Sequence, residues 1–327
     1  MRYVTVGSTG VQVSPLCFGT MSFGSEADET TSAAMFHRVR EKGINFFDTA
    51  DVYGGGASEE ILGRLVADCR DDVVLTSKVF YPTGDGPNDA GPSRRHIMSA
   101  AEASLRRLGT DWLDFYFVHA FDDHTAIEQT LRALDDLVRQ GKILYAAVSN
   151  WAAWQIATAL GIQAREALSR FELIQPMYNL VRRQAEVEIL PLAEAEGLGA
   201  VTYSPLGGGL LTGKYATRHR PAAGRLVENA RYADRYGLDS DFVTAEKLTA
   251  ITHESGHQPA SLAVAWVMAH PVVTAPIIGA RNLDQLDGSI AALDIDMTPE
   301  LYDRIAATST TPAPATDRTE VQTGKWT

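Results

Sequence analysis

Short apolar runs alternate with longer segments of helical periodicity along most of this chain, with a repeat of very roughly 30 residues. Runs such as VVLTS and LDFYFV are almost continuously apolar, which is typical of strands buried on both faces of a parallel sheet. We predict strands at about 16–20, 44–48, 73–78, 113–118, 143–148, 171–175, 198–203 and 274–278. We predict helices at about 30–42, 58–68, 93–107, 124–139, 151–164, 185–196, 243–255, 258–269 and 282–292.

Eight strands, each followed by a helix, predict an α/β fold of the (β/α)8 TIM barrel type, formed as one domain by residues 1–305. Two short β-like runs around residues 7–10 predict an N-terminal β-hairpin that covers one end of the barrel. Polar interruptions at 80–92 and 207–241 predict long loops at the C-terminal face. Residues 306–327 are rich in Thr, Pro and Ala and predict a flexible C-terminal tail.

Charge and cysteine usage narrow the classes of partner. The chain has 29 basic and 41 acidic residues and a formal net charge of -12, which argues against a nucleic-acid or anionic-membrane surface. Cys17 and Cys69 have no metal-type or CxxC spacing, so we expect reduced thiols and no metal site. No export signal or long apolar run is present in the sequence. We therefore expect a cytoplasmic protein that binds a small molecule.

Four chemically distinctive residues follow the second, third and fourth predicted strands. Asp48, Lys78 and His119 come where strands end, and Tyr53 lies five residues after Asp48 in a glycine-rich turn. Strand ends converge at the C-terminal face of such a barrel. An ammonium held by a carboxylate and placed beside a phenol lowers the phenol's pKa from about 10, which suits a proton donor near neutral pH. Taken singly, each of these residues is more often a structural residue. The four together predict an active site.

Several segments resemble the aldo-keto reductases in the expected order over about residues 3–305. They are DTADVYGGGASEEILG, DFYFVHAFD, IQPMYNL, YSPLGGGLLTGKY and PIIGARNLDQL. The pattern is most similar to the longer-chain branch that includes bacterial reductases and channel β-subunits. The resemblance implies reduction of a small aldehyde, ketone or sugar-like carbonyl with NADP(H). It assigns Tyr53 as general acid/base, Lys78 and Asp48 as residues that tune it, and His119 as the residue that positions the substrate.

The same resemblance implies where the cofactor binds. It assigns the nicotinamide carboxamide to Ser149, Asn150 and Gln175, stacking on the ring to Tyr203, and the 2′-phosphate and adenine to Arg281 and Gln285. Other expected cofactor contacts are Ser204, Leu206, Gly208, Leu210, Lys214 and Gly279.

The chain departs from two patterns within these segments. Gly208, Gly213 and Lys214 fit a G-x4-G-K pattern, but Tyr215 stands where a P-loop needs Ser or Thr, so we exclude a nucleoside-triphosphate site. The chain also has Gly288 and Ser289 where the aldo-keto reductases often have Glu and Asn.

The sequence leaves the substrate, the oligomeric state and two alternative functions open. The alternatives are a Schiff-base aldolase with Lys78 as nucleophile and an NADP(H)-sensing binding subunit with little turnover. The loops after strands one, three and seven, and the C-terminal tail, are expected to form the substrate pocket. Six aromatic and apolar residues are candidates for its walls by position or, equally, ordinary packing. They are Met21, Phe23, Phe80, Tyr81, Phe121 and Trp151.

Overall fold

The structure, a computed structural model, describes residues 1–318, whose strands form two separate sheets. The N-terminal sheet is an antiparallel pair, β1 (Val4–Thr5) and β2 (Gln12–Val13). The second sheet is a closed barrel of parallel strands, which follow one another around it in chain order. They are β3 (Cys17–Gly19), β4 (Phe46–Asp48), β5 (Val74–Val79), β6 (Leu113–Val118), β7 (Ile143–Ser149), β8 (Phe171–Gln175), β9 (Gly199–Thr202) and β10 (Ala275–Ile278). The predicted (β/α)8 TIM barrel and its N-terminal hairpin are confirmed.

Helices surround the barrel, and a helix follows each barrel strand. They are α1 (Glu29–Glu41), α2 (Ala57–Val66), α3 (Arg94–Leu108), α4 (Ile127–Arg139), α5 (Ala153–Glu166), α6 (Ile189–Glu196), α7 (Arg225–Glu228), α8 (Ala230–Arg235), α9 (Asp239–Ser255), α10 (Pro259–Met268), α11 (Leu283–Ile290) and α12 (Pro299–Ala306). Within residues 1–318, none combines the length and apolar character that crossing a membrane requires.

The barrel strands lie within two residues of their predicted bounds, whereas three helices were not predicted. Helices α7 and α8 lie inside the segment predicted as a loop. They are short, and their sequence has no apolar period long enough to indicate a helix. Helix α12 did have a local signal, because the Thr298 side chain accepts a hydrogen bond from the Leu301 amide and Pro299 occupies the first helical position.

The N-terminal hairpin closes the end of the barrel opposite the strand C-termini. Val6 and Val13 are fully buried in the same apolar cluster as the inward-facing side chains of the barrel strands. Gly7 has a positive φ of 49°, and a Cβ atom built there would lie 2.6 Å from the Gly199 amide nitrogen. The close approach of hairpin and barrel therefore requires glycine at this position. The other end of the barrel stays open for a site.

The start of the segment predicted as a flexible tail is packed against the barrel. Arg183 donates a hydrogen bond of 3.1 Å to the Ala306 carbonyl oxygen. Thr308 is buried, and its carbonyl oxygen accepts a hydrogen bond of 3.1 Å from the Thr244 hydroxyl. These contacts join residues 306–309 to the rest of the fold, whereas the flexibility of the tail stays a prediction. Residues 319–327, with Trp326, lie outside the described residues.

The turn between β4 and α2, which carries Tyr53, is fixed by a buried ion pair beneath it. Gly54, Gly55 and Gly56 all have positive φ angles of 58°, 64° and 101°, a conformation that glycine adopts without steric cost. Glu59, at the start of α2, is fully buried and pairs with Arg107 of α3 at 2.7 Å. Helix α3 therefore holds the turn in place from outside the barrel.

Asp51 is a buried acid in the same turn, and its carboxylate lacks a hydrogen-bond partner among residues 1–318. Burial raises the pKa of Asp51 to about 7, the nearby negative charge of Glu59 adds to the effect, and Arg107 opposes it. An ordinary aspartate has a pKa of 3.8. Ionising Asp51 in the folded protein therefore costs stability.

The Asp51→Asn variant is expected to be more stable than the parent protein at pH 8. The folded pKa lies above the unfolded one, so the cost of ionisation is absent below about pH 4, grows up to about pH 7 and is constant above it. At about 1.4 kcal/mol per pKa unit, the variant's free energy of unfolding at pH 8 should exceed that of the parent protein by about 2–4 kcal/mol. Urea unfolding from pH 4 to pH 8 measures this difference, with Asp68→Asn on the exposed surface as the control. A gain in the free energy of unfolding that does not change with pH would show that the pKa of Asp51 is not raised in this way.

Candidate active site

An ion pair between Lys78 and Asp48 lies at the base of the open end of the barrel. The two residues belong to the neighbouring strands β5 and β4, and the Lys78 Nζ donates to Asp48 Oδ2 at 2.6 Å and to the Thr49 carbonyl oxygen at 2.8 Å. The same Nζ lies 3.4 Å from the Tyr53 hydroxyl oxygen. Lys78 is fully buried and Asp48 nearly so. Three of the four predicted catalytic residues are therefore in direct contact.

The second oxygen of the Asp48 carboxylate is also occupied. Its Oδ1 accepts hydrogen bonds of 2.8 Å from the Thr76 hydroxyl and 2.9 Å from the Gln175 side-chain amide. A buried ion pair is stable only when its remaining lone pairs and protons are bonded in this way. The Gln175 amide, which the resemblance assigned to the cofactor, thus also holds Asp48 in position.

Lys78 keeps its proton in this surrounding. Burial alone would lower the pKa of Lys78, but Asp48 and Tyr53 outweigh burial, so the pKa is raised. The ammonium donates to an oxygen of Asp48 and of Thr49 and lies within reach of Tyr53. An aldolase needs a neutral amine that a carbonyl carbon can approach. The geometry at Lys78 offers no such amine.

The pKa of Tyr53 differs from the sequence-based expectation. Burial at the base of the cleft raises the pKa of the phenol above 10, and the nearby Lys78 ammonium offsets only part of that rise. The predicted net lowering is therefore wrong, because the cost of burying a phenolate exceeds the attraction of one cation that Asp48 already neutralises. The phenol keeps its proton at neutral pH. A proton donor needs this state, and Lys78 still stabilises the phenolate that forms after transfer.

His119 follows β6 and forms one wall above Tyr53. Its ring centroid lies 6.0 Å from that of Tyr53 and 4.9 Å from that of Tyr81, both in edge-to-face geometry. Burial and the Lys78 charge place the pKa of His119 well below its usual range, so the imidazole is neutral. Its Nδ1 has no hydrogen-bond partner in the described part of the chain. A neutral ring can orient a carbonyl oxygen without adding a second cation.

The polar residues after β7, β8 and β9 form one hydrogen-bonded group beside the catalytic cluster. Asn150 has a positive φ of 59°. Its side-chain nitrogen donates to the His119 carbonyl oxygen at 2.9 Å, and its oxygen accepts from the Tyr203 hydroxyl at 2.7 Å. The Ser149 hydroxyl donates to the Gln175 carbonyl oxygen at 2.9 Å. The residues that the resemblance assigned to the nicotinamide thus come together next to Tyr53.

A cleft of about 890 Å³ extends from this group to the start of α11. It brings together most of the predicted site residues. Those that line it are Met21, Asp48, Tyr53, Tyr81, His119, Ser149, Asn150, Gln175, Tyr203, Ser204, Leu206, Gly208, Lys214, Gly279, Arg281 and Gln285. Lys78 is fully buried behind Asp48 and does not line the cleft.

Besides Lys78, five predicted site residues lie outside the cleft lining. Phe23 and Leu210 are fully buried in the apolar core. Phe121 packs edge-on against Trp151 with centroids 4.9 Å apart, and Phe80 packs against the core and the Tyr81 ring. The prediction that Phe23, Phe80, Phe121 and Trp151 form pocket walls is not supported, since Phe23 and Trp151 are buried and Phe80 and Phe121 pack, partly buried, against the apolar core. For these four the packing interpretation holds.

Cations gather at the end of the cleft away from Tyr53. Arg281 and Arg225 both pair with Glu26, each at 2.7 Å, and Arg281 also lies 3.6 Å from Glu228. Burial lowers the pKa of Lys214, as do the positive charges of Arg281 and Arg225. This end therefore suits phosphate groups, which would compete with Glu26 for the two arginines. Sequence reasoning missed Glu26, because an acid in the loop after β3 carries no motif.

The residues present fit a nicotinamide dinucleotide. Amide and hydroxyl groups lie beside Tyr53, and cations lie at the far end of an elongated cleft. Gly209 lines the cleft next to Lys214 and has a positive φ of 95°, a conformation that glycine adopts without steric cost. Of the two positions where the aldo-keto reductases often have Glu and Asn, Gly288 lines the cleft, whereas Ser289 is buried. No group of three or more His, Cys, Asp or Glu side chains within residues 1–318 could hold a metal ion.

Comparison with known proteins agrees with this geometry. The sequence model of the Aldo/keto reductase family matches residues 15–309. A probable voltage-gated potassium channel subunit beta from Oryza sativa subsp. japonica is 39% identical over 94% of this chain and 96% of its own length. An uncharacterized oxidoreductase, YrpG, from Bacillus subtilis is 38% identical over 92% of this chain and 94% of its own. Versiconal hemiacetal acetate reductase from Aspergillus parasiticus is 31% identical, with coverage of 92% and 94%.

These matches span the barrel and every residue of the site described above. Family members generally use NAD(P)H, and the relatives named as reductases or oxidoreductases support carbonyl reduction. A closed parallel barrel with a buried Asp–Lys pair against a tyrosine, and a match to the family over most of its length, place this chain in the aldo/keto reductase family of oxidoreductases.

Proposed function

We propose that this protein is an NADP(H)-dependent reductase of small aldehydes, ketones or sugar-like carbonyls, with Tyr53 as the proton donor. The observation that carries the proposal is the Lys78 Nζ, which lies 3.4 Å from the Tyr53 hydroxyl oxygen and 2.6 Å from Asp48. This arrangement supports a phenol that is protonated before the reaction and stabilised as an anion after it.

Each residue of the cluster has one task in this proposal. The bound cofactor supplies a hydride to the carbonyl carbon. Tyr53 donates its hydroxyl proton to the carbonyl oxygen, and the Lys78 ammonium stabilises the phenolate that remains. Asp48 holds Lys78 by its 2.6 Å contact and balances its charge. The neutral His119 ring, beside Tyr53, orients the carbonyl oxygen.

The cleft supports one direction for the cofactor. Asn150 and Tyr203, joined at 2.7 Å, offer an amide and a flat aromatic face next to Tyr53, which suit a carboxamide and a planar ring. Lys214 and Arg281 offer cations at the other end. A guanidinium binds phosphate through paired, charged hydrogen bonds, so Arg281 favours NADP(H) over NAD(H).

A second candidate is a nucleotide-sensing subunit in which NADP(H) occupancy matters more than turnover. The relatives from Oryza sativa and Arabidopsis thaliana, at 39% and 37% identity, are named as probable voltage-gated potassium channel subunits beta. Such a protein would bind the cofactor in the same cleft and would reduce carbonyls slowly or not at all.

Transfer of deuterium from labelled NADPH tests the proposed function and separates it from the sensing subunit. NADPH deuterated at the transferring face of its nicotinamide is incubated with a panel of aldehydes, ketoses and quinones, and the products are analysed by mass spectrometry. We expect the aldehydes or ketoses that are substrates to give an alcohol with one deuterium on the former carbonyl carbon, and quinones to give hydroquinones as NADPH is consumed. NADPH that binds but is not consumed with any member of the panel would rule out the reductase and favour the sensing subunit.

The Arg281→Ala variant is expected to lose preference for NADPH. Charged hydrogen bonds to the 2′-phosphate contribute about 1.5–3 kcal/mol, so the Kd for NADPH should rise by about 10-fold to 100-fold. The Glu26 carboxylate, which then keeps Arg225 as a partner, would add repulsion, while NADH has no phosphate at this position. Fluorescence titration with NADPH and with NADH measures the ratio of the two Kd values. The Arg95→Ala variant, at an exposed arginine, is the control. Equal weakening of NADPH and NADH would remove Arg281 from this role.

A further inference from the structure

Two arginines on the cleft have no acidic partner. Arg231 and Arg235 of α8 both line the cleft, yet neither forms an ion pair within residues 1–318. The arginines at the far end, Arg225 and Arg281, are both paired with Glu26. The cleft therefore contains two groups of cations, and only the far group is balanced by nearby carboxylates.

Arg235 lines the same cleft as Tyr53 and Tyr203. Its guanidinium lies over the ring of Tyr232, 5.5 Å from the centroid, and the Arg225 guanidinium lies over the same ring at 5.1 Å. Burial raises the pKa of Tyr203 to about 12, and the nearby positive charge of Arg235 opposes that rise. Tyr232 also lines the cleft. Arg235 thus faces the same space as the proton donor and the ring-stacking tyrosine.

The backbone of α8 is fixed to the barrel, although it lies in a long connecting segment. The Arg182 guanidinium donates a hydrogen bond to the Arg235 carbonyl oxygen and pairs with the buried Asp241 at 2.9 Å. The next residue, Tyr236, is fully buried. A Cβ atom built at Gly208 would lie 2.7 Å from the Tyr232 ring, so α8 packs directly on the glycine turn after β9. These contacts keep Arg235 at a defined position.

An unpaired guanidinium that a ligand desolvates requires a counter-ion. When a ligand displaces water from the cleft, an uncompensated charge costs free energy. The cofactor's phosphates have the cations Lys214, Arg225 and Arg281, so the arginines of α8 remain available to a second anion. A carbonyl compound with its own anionic group would supply that counter-ion through paired hydrogen bonds with the guanidinium.

We propose that the substrate is a carbonyl compound that carries an anionic group, a carboxylate or a phosphate, and that Arg235 binds this group with help from Arg231. The inference rests on the proposed reductase function and adds the substrate class to it. The carbonyl oxygen lies at Tyr53 and His119, and the anionic group lies against α8. Tyr81 and Tyr232 line the space between them.

Matched pairs of substrates test the proposal and separate carboxylate from phosphate. One pair is butanal and 4-oxobutanoate, and the other is glyceraldehyde and glyceraldehyde 3-phosphate. We expect kcat/KM for at least one anionic member to exceed that of its neutral partner by about 10-fold or more, mainly through a lower KM, as for one charged hydrogen-bonded contact. The preference should fall as salt rises.

The variants Arg235→Met and Arg231→Met test whether the preference for anionic over neutral substrates depends on α8. Arg235→Met should reduce the ratio of anionic to neutral kcat/KM by about 10-fold to 100-fold, and Arg235→Lys should restore part of it. Arg231→Met should have a smaller effect. Arg95→Met, an exposed arginine on α3, is the matched control and should leave the ratio unchanged. Thermal unfolding checks that each variant remains folded.

The outcomes separate this inference from the proposed function. Reduction of neutral and anionic members at similar kcat/KM, with no change of ratio in Arg235→Met, would overturn the inference while the reductase stands. Absence of turnover on all four compounds would count against the reductase. Calorimetric titration with succinate and glycerol 3-phosphate, with and without NADP⁺, then decides the inference. Binding that Arg235→Met abolishes would support the anion site, and no binding would overturn it.

Discussion

The buried pair of Lys78 and Asp48 is the interaction on which the site depends. A fully buried ammonium is tolerated only when nearly every one of its protons is bonded and a counter-charge lies in contact. The barrel meets this requirement with groups from neighbouring strands and the following turn, because Asp48, Thr49 and Tyr53 all surround the Lys78 Nζ. The closed sheet therefore does more than enclose a core. It brings residues that lie 30 positions apart in sequence into contact.

Burial and this charge together set the protonation states around the pair. Burial and the Lys78 charge both lower the pKa of His119, so the imidazole is neutral, while burial keeps Tyr53 protonated despite the nearby cation. In the proposed reaction the neutral ring orients the carbonyl oxygen, and the ammonium stabilises the phenolate that forms when Tyr53 gives up its proton. Further along the cleft lie two groups of arginines: one is paired with Glu26, and the other, on α8, forms no ion pair within residues 1–318.

The sequence predicted the barrel strands and the catalytic cluster because both depend on local signals that recur at every strand end. It could not predict what depends on tertiary packing. Phe23 and Trp151 stand where pocket walls were expected, yet their rings point into the core. Glu26 meets Arg281 across 255 positions of sequence, and no pattern in the chain indicates such a pair. The direction of the Tyr53 pKa depends on how far burial outweighs Lys78, which residue types alone do not reveal.

In the proposed reaction Tyr53 supplies the proton, and the Tyr53→Phe variant keeps the ring while it removes the hydroxyl. Turnover with a carbonyl substrate and the Kd for NADPH are measured on the same preparation. We expect turnover to fall by at least about 100-fold, as is typical when a general acid is removed, while NADPH binds as in the parent protein. Near-normal turnover in Tyr53→Phe would contradict the role assigned to this residue.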